Sequence, residues 1–413
     1  MNEMNKFEVV DGGVCAAQGF RAAGVYAGIK ENPTKKNDLG MIYSDYECNT
    51  ACVYTQNKVK GAPILVTKSN LEKTGGKSRA VIVNSKNANT CNADGIEKAE
   101  AMCQLSAKAL NIKPEEVVVA STGVIGQILP IEPIEKAMPE LVMSLCVSQH
   151  LEAATAIMTT DTFAKEYAVT FEIDGKRCFM GGMAKGSGMI HPNMATTLNF
   201  ITTDCAISVS MLQKALSEIV KITYNCLSVD GDTSTNDMVS LMSSAQAGND
   251  EIIEENENYE IFKSALYQVM ANLTRMLAKD GEGATKLLTC VCSSAPDLDT
   301  AIIVAKSVIR SPLFKCAMFG ADANWGRVLC AIGYAKAEFD INKVAVSLAS
   351  RAGKVDVCEN GAGIDFSEDI AKVVLSEDEI EILVYLNQGD VNATAWGCDL
   401  TYDYVKINGD YRS

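Results

Sequence analysis

Five glycine-rich islands interrupt this chain, and they set the terms on which it can fold. They are Ser121–Gly126 (STGVIG), Gly181–Gly188 (GGMAKGSG), Val229–Asp237 (VDGDTSTND), Asp280–Lys286 (DGEGATK) and Gly320–Arg327 (GADANWGR). Glycine permits positive φ and close backbone approach, so each island reads as a turn or loop. Each also carries Thr, Ser, Asn or a charge. Loops of that composition on a rigid scaffold are where binding and catalysis collect, so the five are expected to converge on a pocket.

Between the islands the hydrophobic spacing predicts helices over 96–109, 133–147, 210–222, 258–279 and 297–309. Strands are predicted at Val117–Val119, Lys165–Ile173, Leu198–Thr202, Leu287–Cys292 and Ile380–Leu386. Asp174-Gly175 should turn Lys165–Ile173 back into Lys176–Met180 as a hairpin. The class is therefore α/β without strict alternation. With 413 residues, 47% of them hydrophobic, there is material for a large core and for two or three domains.

Charge and composition exclude several roles. A net charge of −15 argues against nucleic acid, which calls for a basic stripe. No stretch approaches the roughly 20 apolar residues of a membrane span, and the amino-terminal residues lack a signal peptide's apolar segment. These readings point to the cytoplasm. Fifteen cysteines show no CxxC spacing, Cys48/Cys52 and Cys290/Cys292 being the nearest pairs. With two histidines to help, they point to reduced thiols rather than to zinc. No metal or bound cofactor is called for.

The two histidines also constrain mechanism. A Ser-His or Cys-His enzyme must spend one of them as general base. His150 follows a helical stretch and has no partner motif. His191 lies in the most informative segment, Lys185–Phe200 (KGSGMIHPNMATTLNF), where it reads as a solvated loop residue. Pro192 breaks any helix there, and Ala195-Thr196 leads into the strand Leu198–Thr202. A hydroxyl at that place could attack the Ala195 carbonyl, shift the acyl group from N to O, and release a Thr196 with a free α-amine. That amine, with a pKa of about 8, can act as its own base. On local chemistry alone an ordinary Thr-Thr pair on a strand is the favoured reading of the segment. STGVIG likewise follows an apolar strand, Val117–Ala120. Its N–H groups could cup an anion, but taken alone a tight turn is the favoured reading.

A resemblance adds to these readings. Lys185-Gly186-Ser187-Gly188-Met189 with Met194-Ala195-Thr196 resembles the cleavage signature of the ornithine acetyltransferase family, the glutamate N-acetyltransferases of arginine biosynthesis. VIVNSKNANTCNADG (81–95), VVVASTGVIGQILP (117–130), AIMTTDT (156–162), DGEGATK (280–286), GADANWGRVLCAIGYA (320–335) and YVKINGDYRS (404–413) resemble further family blocks, in the family's order.

The resemblance implies an αββα layered arrangement of two sheets flanked by helices, with a smaller carboxy-terminal lobe. It implies self-cleavage between Ala195 and Thr196 into an α chain (1–195) and a β chain (196–413), assembled as an α2β2 heterotetramer. Thr196 would be the nucleophile, and Thr122 and Gly123 the oxyanion donors. Substrate contacts would fall on Thr162, Lys185, Thr196, Glu282, Asn408 and Ser413. The substrates implied are N-acetylornithine and glutamate, with acetyl-CoA a possible second donor. Thr197 departs from the pattern, since a larger apolar residue is usual beside the nucleophile. The main rival is an aminopeptidase or amidohydrolase of related fold with an amino-terminal nucleophile.

Overall fold

A computed structural model describes residues 7–29, 34–191 and 197–409. Ala195, Thr196 and Ser413 lie outside the described residues. The chain forms two compact units that interleave along the sequence. One comprises Met1–Gly186, Pro192–Lys221 and Thr233–Leu273; the other comprises Ser187–His191, Ile222–Asp232 and Thr274–Ser413. Neither unit coincides with 1–195 or 196–413.

The first unit is built on a nine-stranded sheet. Its order is Glu8–Val10, Lys165–Ile173, Lys176–Lys185, Leu198–Thr203, Met238–Ser243, Leu39–Tyr54, Lys77–Asn84 and Val117–Ser121, with Phe20–Val25 paired to Leu39–Tyr54. Lys77–Asn84 and Val117–Ser121 run parallel. Their near-continuous apolar runs are what a parallel pair buried on both faces requires. The alternation is explicit. Ala80, Ile82, Val117 and Val119 join one core cluster, under the helices Ala62–Thr74, Gly95–Leu110 and Glu132–Met143. Val81, Val83, Val118 and Ala120 join a second with Phe20, Phe200 and Met242. Each buried Val, Ile, Phe or Met among them contributes about 1.5–3 kcal/mol.

The predicted hairpin is present, with Ile173 paired to Lys176 across the Asp174-Gly175 turn. Its second strand runs on to Lys185, beyond the expected Met180, and so delivers that lysine to the sheet's end. The expected helix over 133–147 stops at Met143; a short 3-10 turn at Val147–Gln149 follows.

The second unit carries a seven-stranded sheet. Its order is Ala362–Gly363, Gly353–Glu359, Ala345–Ser350, Glu379–Tyr385, Leu287–Ala295, Val391–Cys398 and Leu227–Ser228. The predicted strand at Leu287–Cys292 lies near its centre, with Cys290 and Cys292 fully buried. Helices Leu298–Arg310, Pro312–Phe319 and Trp325–Gly333 belong to this unit. The α/β class, the two sheets and a smaller, mainly carboxy-terminal unit agree with expectation. Among the described residues no helix is long and apolar enough to cross a membrane.

Candidate active site

In the first unit, strand ends gather the chemistry. Lys185 ends its strand opposite Leu198, two residues beyond Thr196 in the chain. It is 8% exposed and donates from Nζ to Thr122 Oγ1 at 3.1 Å. Thr122 directly follows Val117–Ser121, where the Thr122 N–H closes onto the Asn84 carbonyl at 3.0 Å. That bond occupies the Thr122 amide, so the residue's free donor is its hydroxyl.

Gly123 adopts φ +137°, and a Cβ there would lie 2.2 Å from the Lys86 carbonyl carbon and 2.4 Å from Asn87 N. No other residue fits between this loop and its neighbour. Among the described residues the Gly123 N–H has no hydrogen-bond partner.

Asp161 pairs with a second buried lysine, Lys165, and holds the amide that follows Lys185. One oxygen accepts from Lys165 Nζ and from Gly186 N–H, both at 2.7 Å; the other accepts from Thr159 N–H at 2.9 Å. Burial alone would raise this carboxyl, but the Lys185 and Lys165 ammonium groups overcome it and hold it at about 2. Sequence reasoning passed over Asp161. Its neighbour Thr162, singled out instead, is exposed on the same loop.

Thr197 is held on every side. Its N–H donates to Asp237 Oδ1 at 2.7 Å, its carbonyl accepts from Met238 N–H at 2.9 Å, and its hydroxyl accepts from Asn199 Nδ2 at 2.7 Å. It is buried with φ +61°, a conformation that costs a β-branched residue about 1–2 kcal/mol. Burial pushes the Asp237 carboxyl up to about 8, against the pull of the Thr197 N–H and of Lys185. Asp237 was legible only as the last residue of VDGDTSTND.

The second unit holds a separate cluster. The Glu282 N–H donates to the Ser187 carbonyl at 3.0 Å, and Asn408 Nδ2 donates to Glu282 Oε2 at 2.7 Å. Gly188 lies so close that a Cβ would meet Glu282 Oε2 at 2.3 Å. Ser187 Oγ donates to the Asp280 carbonyl at 2.6 Å. Asp230 accepts from Met189 N–H at 2.6 Å and Ile190 N–H at 3.0 Å. Residues 187–190 are thus clamped, by their own backbone, to two of the glycine-rich islands.

His191 differs from expectation. It is half-buried, with Nδ1 3.1 Å from Ser228 Oγ. Burial, reinforced by Lys306 and Arg310, pushes its pKa down to about 3, so it is neutral at pH 7. His150 does have a partner, Glu166 at 3.0 Å.

Of the expected site residues, Thr122, Gly123 and Lys185 come together in the first unit, and Glu282 and Asn408 in the second. Three islands supply turns to these clusters, and a fourth, VDGDTSTND, divides between them. The fifth does not converge. Asn324 of GADANWGR caps the helix Trp325–Gly333, and Trp325 packs where a Cβ on Gly363 would lie. Among the described residues no group of three or more His, Cys, Asp or Glu is placed to hold a metal ion.

Comparison with known proteins places this geometry in context. The ArgJ family model matches residues 21–413. Arginine biosynthesis bifunctional protein ArgJ 1 of Clostridium acetobutylicum is 51% identical over 95% of this chain and 96% of its own length. The bifunctional ArgJ protein of Caldanaerobacter subterraneus is 47% identical over 98% of this chain and its whole length. A solved ornithine acetyltransferase from Mycobacterium tuberculosis, complexed with ornithine, is 38% identical. It covers 46% of this chain and all of its own, with a TM-score of 0.42.

Proposed function

Because the chain belongs to the ArgJ family, we propose that it moves acetyl from N2-acetylornithine to glutamate through an ester on Thr196, after cutting itself between Ala195 and Thr196. The observation that carries this reading is the Lys185–Thr122–Gly123 arrangement: a hydroxyl and a free backbone N–H side by side, braced by a buried cation.

In self-cleavage the Thr196 hydroxyl attacks the Ala195 carbonyl and the peptide becomes an ester. The C–N bond breaks as the ester forms, which frees the Thr196 α-amine, and water then hydrolyses the ester to the Ala195 carboxylate and the Thr196 hydroxyl. With a pKa of about 8 the amine takes up the hydroxyl proton in turnover. The Thr196 oxygen attacks the acetyl carbonyl of N-acetylornithine, and the oxyanion draws on the Thr122 hydroxyl and Gly123 N–H. Such donors are worth about 10²–10³ in rate. The C–N bond breaks, and ornithine leaves with the proton.

Glutamate's amine then attacks the ester. N-acetylglutamate departs, and the proton returns to the Thr196 oxygen. Lys185, with Thr162, Asn408 and Ser413, supplies donors for an α-carboxylate, and Glu282 an anion for an ammonium group. Thr197 is disfavoured as nucleophile because its hydroxyl and N–H are both engaged. Acetyl-CoA serves as a second donor in the same scheme, and the cut chains assemble as α2β2.

The deciding experiment is sequencing of the fragments together with an acetyl-transfer assay. Wild type is expected to give two bands on a denaturing gel, the second beginning at Thr196, and to form N-acetylglutamate from N-acetylornithine and glutamate. Thr196→Ala should give one band and no product. Processing of that variant, or transfer of acetyl to water rather than glutamate in wild type, would overturn the reading.

A further inference from the structure

A cavity of about 420 Å3 lies in the first unit, lined among others by Lys86, Asn87, Lys98, Gln127, Ile128 and Glu132. Its volume falls in the range of small-molecule sites, and it is far larger than a lone carboxylate needs. It shares structure with the oxyanion loop on two sides. Gly123 packs against the Lys86–Asn87 backbone, and the chain that forms STGVIG continues without interruption into the wall Gln127–Pro130. Asn87 Nδ2 ties that wall down through the carbonyls of Gln127 and Ile128, at 3.1 and 3.2 Å.

Lys86 is the unusual residue. It is a non-glycine residue at φ +76°, strain of about 1–3 kcal/mol that persists only where the surroundings impose it. The ammonium it presents is partly buried and makes no hydrogen bond or ion pair among the described residues. Burial disfavours its charge, and Lys36 and Lys185 repel it, against a pull from Asp38 and Asp161. A second cation, Lys98, has only a long contact to Asp94, at 3.9 Å. In a chain of net charge −15, a roomy cavity with one unpaired and one weakly paired ammonium is suited to an anion. Among the described residues one carboxylate, Glu132, lies on its wall and sets a limit on how tightly.

We propose that this cavity is the subsite for the phosphate-bearing nucleotide end of acetyl-CoA, with Lys86 and Lys98 holding the phosphates while the acetyl end reaches the oxyanion loop. The inference rests on the reading that acetyl-CoA is a second acetyl donor. It distinguishes the two donors physically, because N-acetylornithine has no phosphate and does not need the cavity.

The test pairs kinetics with direct binding. Lys86→Gln and Lys98→Gln keep the side-chain stems and remove the charges. Each should raise KM for acetyl-CoA by about tenfold or more, the loss expected for a hydrogen bond to a charged group. KM for N-acetylornithine and for glutamate should stay within twofold. Glu132→Gln should lower KM for acetyl-CoA, a gain that mere damage would not produce. By calorimetry, adenosine 3′,5′-bisphosphate should bind wild type and bind the Lys86→Gln/Lys98→Gln variant at least tenfold more weakly. Inorganic phosphate should compete poorly.

If wild type turns over acetyl-CoA but the lysine variants leave its KM unchanged, the subsite is refuted and the donor reading stands. If wild type does not use acetyl-CoA yet binds the bisphosphate through both lysines, the donor reading fails and the site remains as a nucleotide site. No binding and no KM effect, or a parallel rise in KM for glutamate, overturns the proposal.

Discussion

Replacing Asp161 by Asn keeps the side chain's shape and removes one charge. Asp161 and Lys165 are fully buried at the side-chain level, with Nζ and Oδ1 2.7 Å apart. The carboxyl is held at about 2 against its ordinary 3.8. That gap, at about 1.36 kcal/mol for each pH unit, corresponds to native stability on the order of 2–3 kcal/mol. Because the folded value is depressed, this contribution is complete above about pH 4 and is lost as the pH falls through about 2.

Asn costs more than that figure. It removes the anion 2.7 Å from Lys165 Nζ, and breaking a buried pair costs about 3–5 kcal/mol. Its single oxygen also cannot serve Lys165, Gly186 and Thr159 together. Hydrogen exchange in the strands Lys165–Ile173 and Lys176–Lys185 should accelerate accordingly. Both tryptophans, Trp325 and Trp396, lie in the second unit, so their fluorescence during urea unfolding serves as an internal control. Adding Lys165→Met should recover most of the loss, because a buried pair can be replaced by apolar groups at little cost. A loss below about 1 kcal/mol for Asp161→Asn, or a double variant no more stable than the single one, would refute the reasoning.

Gly123→Ala places a Cβ 2.2 Å from the Lys86 carbonyl carbon. It should cost about 10²–10³ in kcat with little change in KM for N-acetylornithine, checked by steady-state kinetics on protein with a native circular dichroism spectrum. Thr122→Val should lose activity on a similar scale while Thr122→Ser keeps most of it, because the amide of Thr122 is already bonded to Asn84. Asp237→Asn should flatten part of the pH dependence of stability. Asp237 keeps its proton up to about 8 when folded, so wild type is favoured below the unfolded carboxylate range, about pH 4, and loses that advantage as the pH rises towards 8. Melting temperatures from pH 4.5 to 8.5 should therefore fall less in the variant, and identical slopes would count against the assignment. Asn408→Ala removes the 2.7 Å bond to Glu282 and should raise KM for N-acetylornithine about tenfold.

How much could be read in advance depended on whether a feature is local. The hairpin at Asp174-Gly175 and the helix Gly95–Leu110 follow from short-range periodicity, and both were legible. Helix Ala62–Thr74 was not. Its apolar and polar residues do not separate cleanly onto two faces, so it leaves no stripe to find, although Pro63 near its start and Gly75 at its end mark the boundaries. The 16-residue strand Leu39–Tyr54 was missed because its run is broken by three exposed residues, Asp45, Tyr46 and Glu47. Among the site residues, Thr122, Gly123, Lys185 and Glu282 stood in glycine-rich islands. Asp161 lies outside the islands, and Asp237, the last residue of one, carried no local mark of its role. What distinguishes them is a set of partners 25 and 40 residues away in the chain, which no local pattern encodes.

The proposed cut between Ala195 and Thr196 raises a structural question: what keeps the products together once the peptide bond is gone. The sheet of the first unit answers it. Only two of its nine strands, Leu198–Thr203 and Met238–Ser243, come from residues after the cut. They sit side by side inside the sheet, parallel to each other. On one flank Leu198–Thr203 pairs antiparallel with Lys176–Lys185, and on the other Met238–Ser243 pairs antiparallel with Leu39–Tyr54. Separating the halves would open both ladders and expose two unpaired strand edges, which proteins avoid. In the second unit the residues just before the cut, Ser187–His191, bond to Asp280, Glu282, Asp230 and Ser228, all beyond it. Cleavage therefore removes one covalent bond and no ladder bond. A tag on the 1–195 half should retain the other half through high-salt washing, and the two should part only in denaturant. Recovery of either half alone from a native column would show that the sheet does not hold them. Thr196→Ala should leave the circular dichroism spectrum unchanged, because the ladders form whether or not the bond is cut.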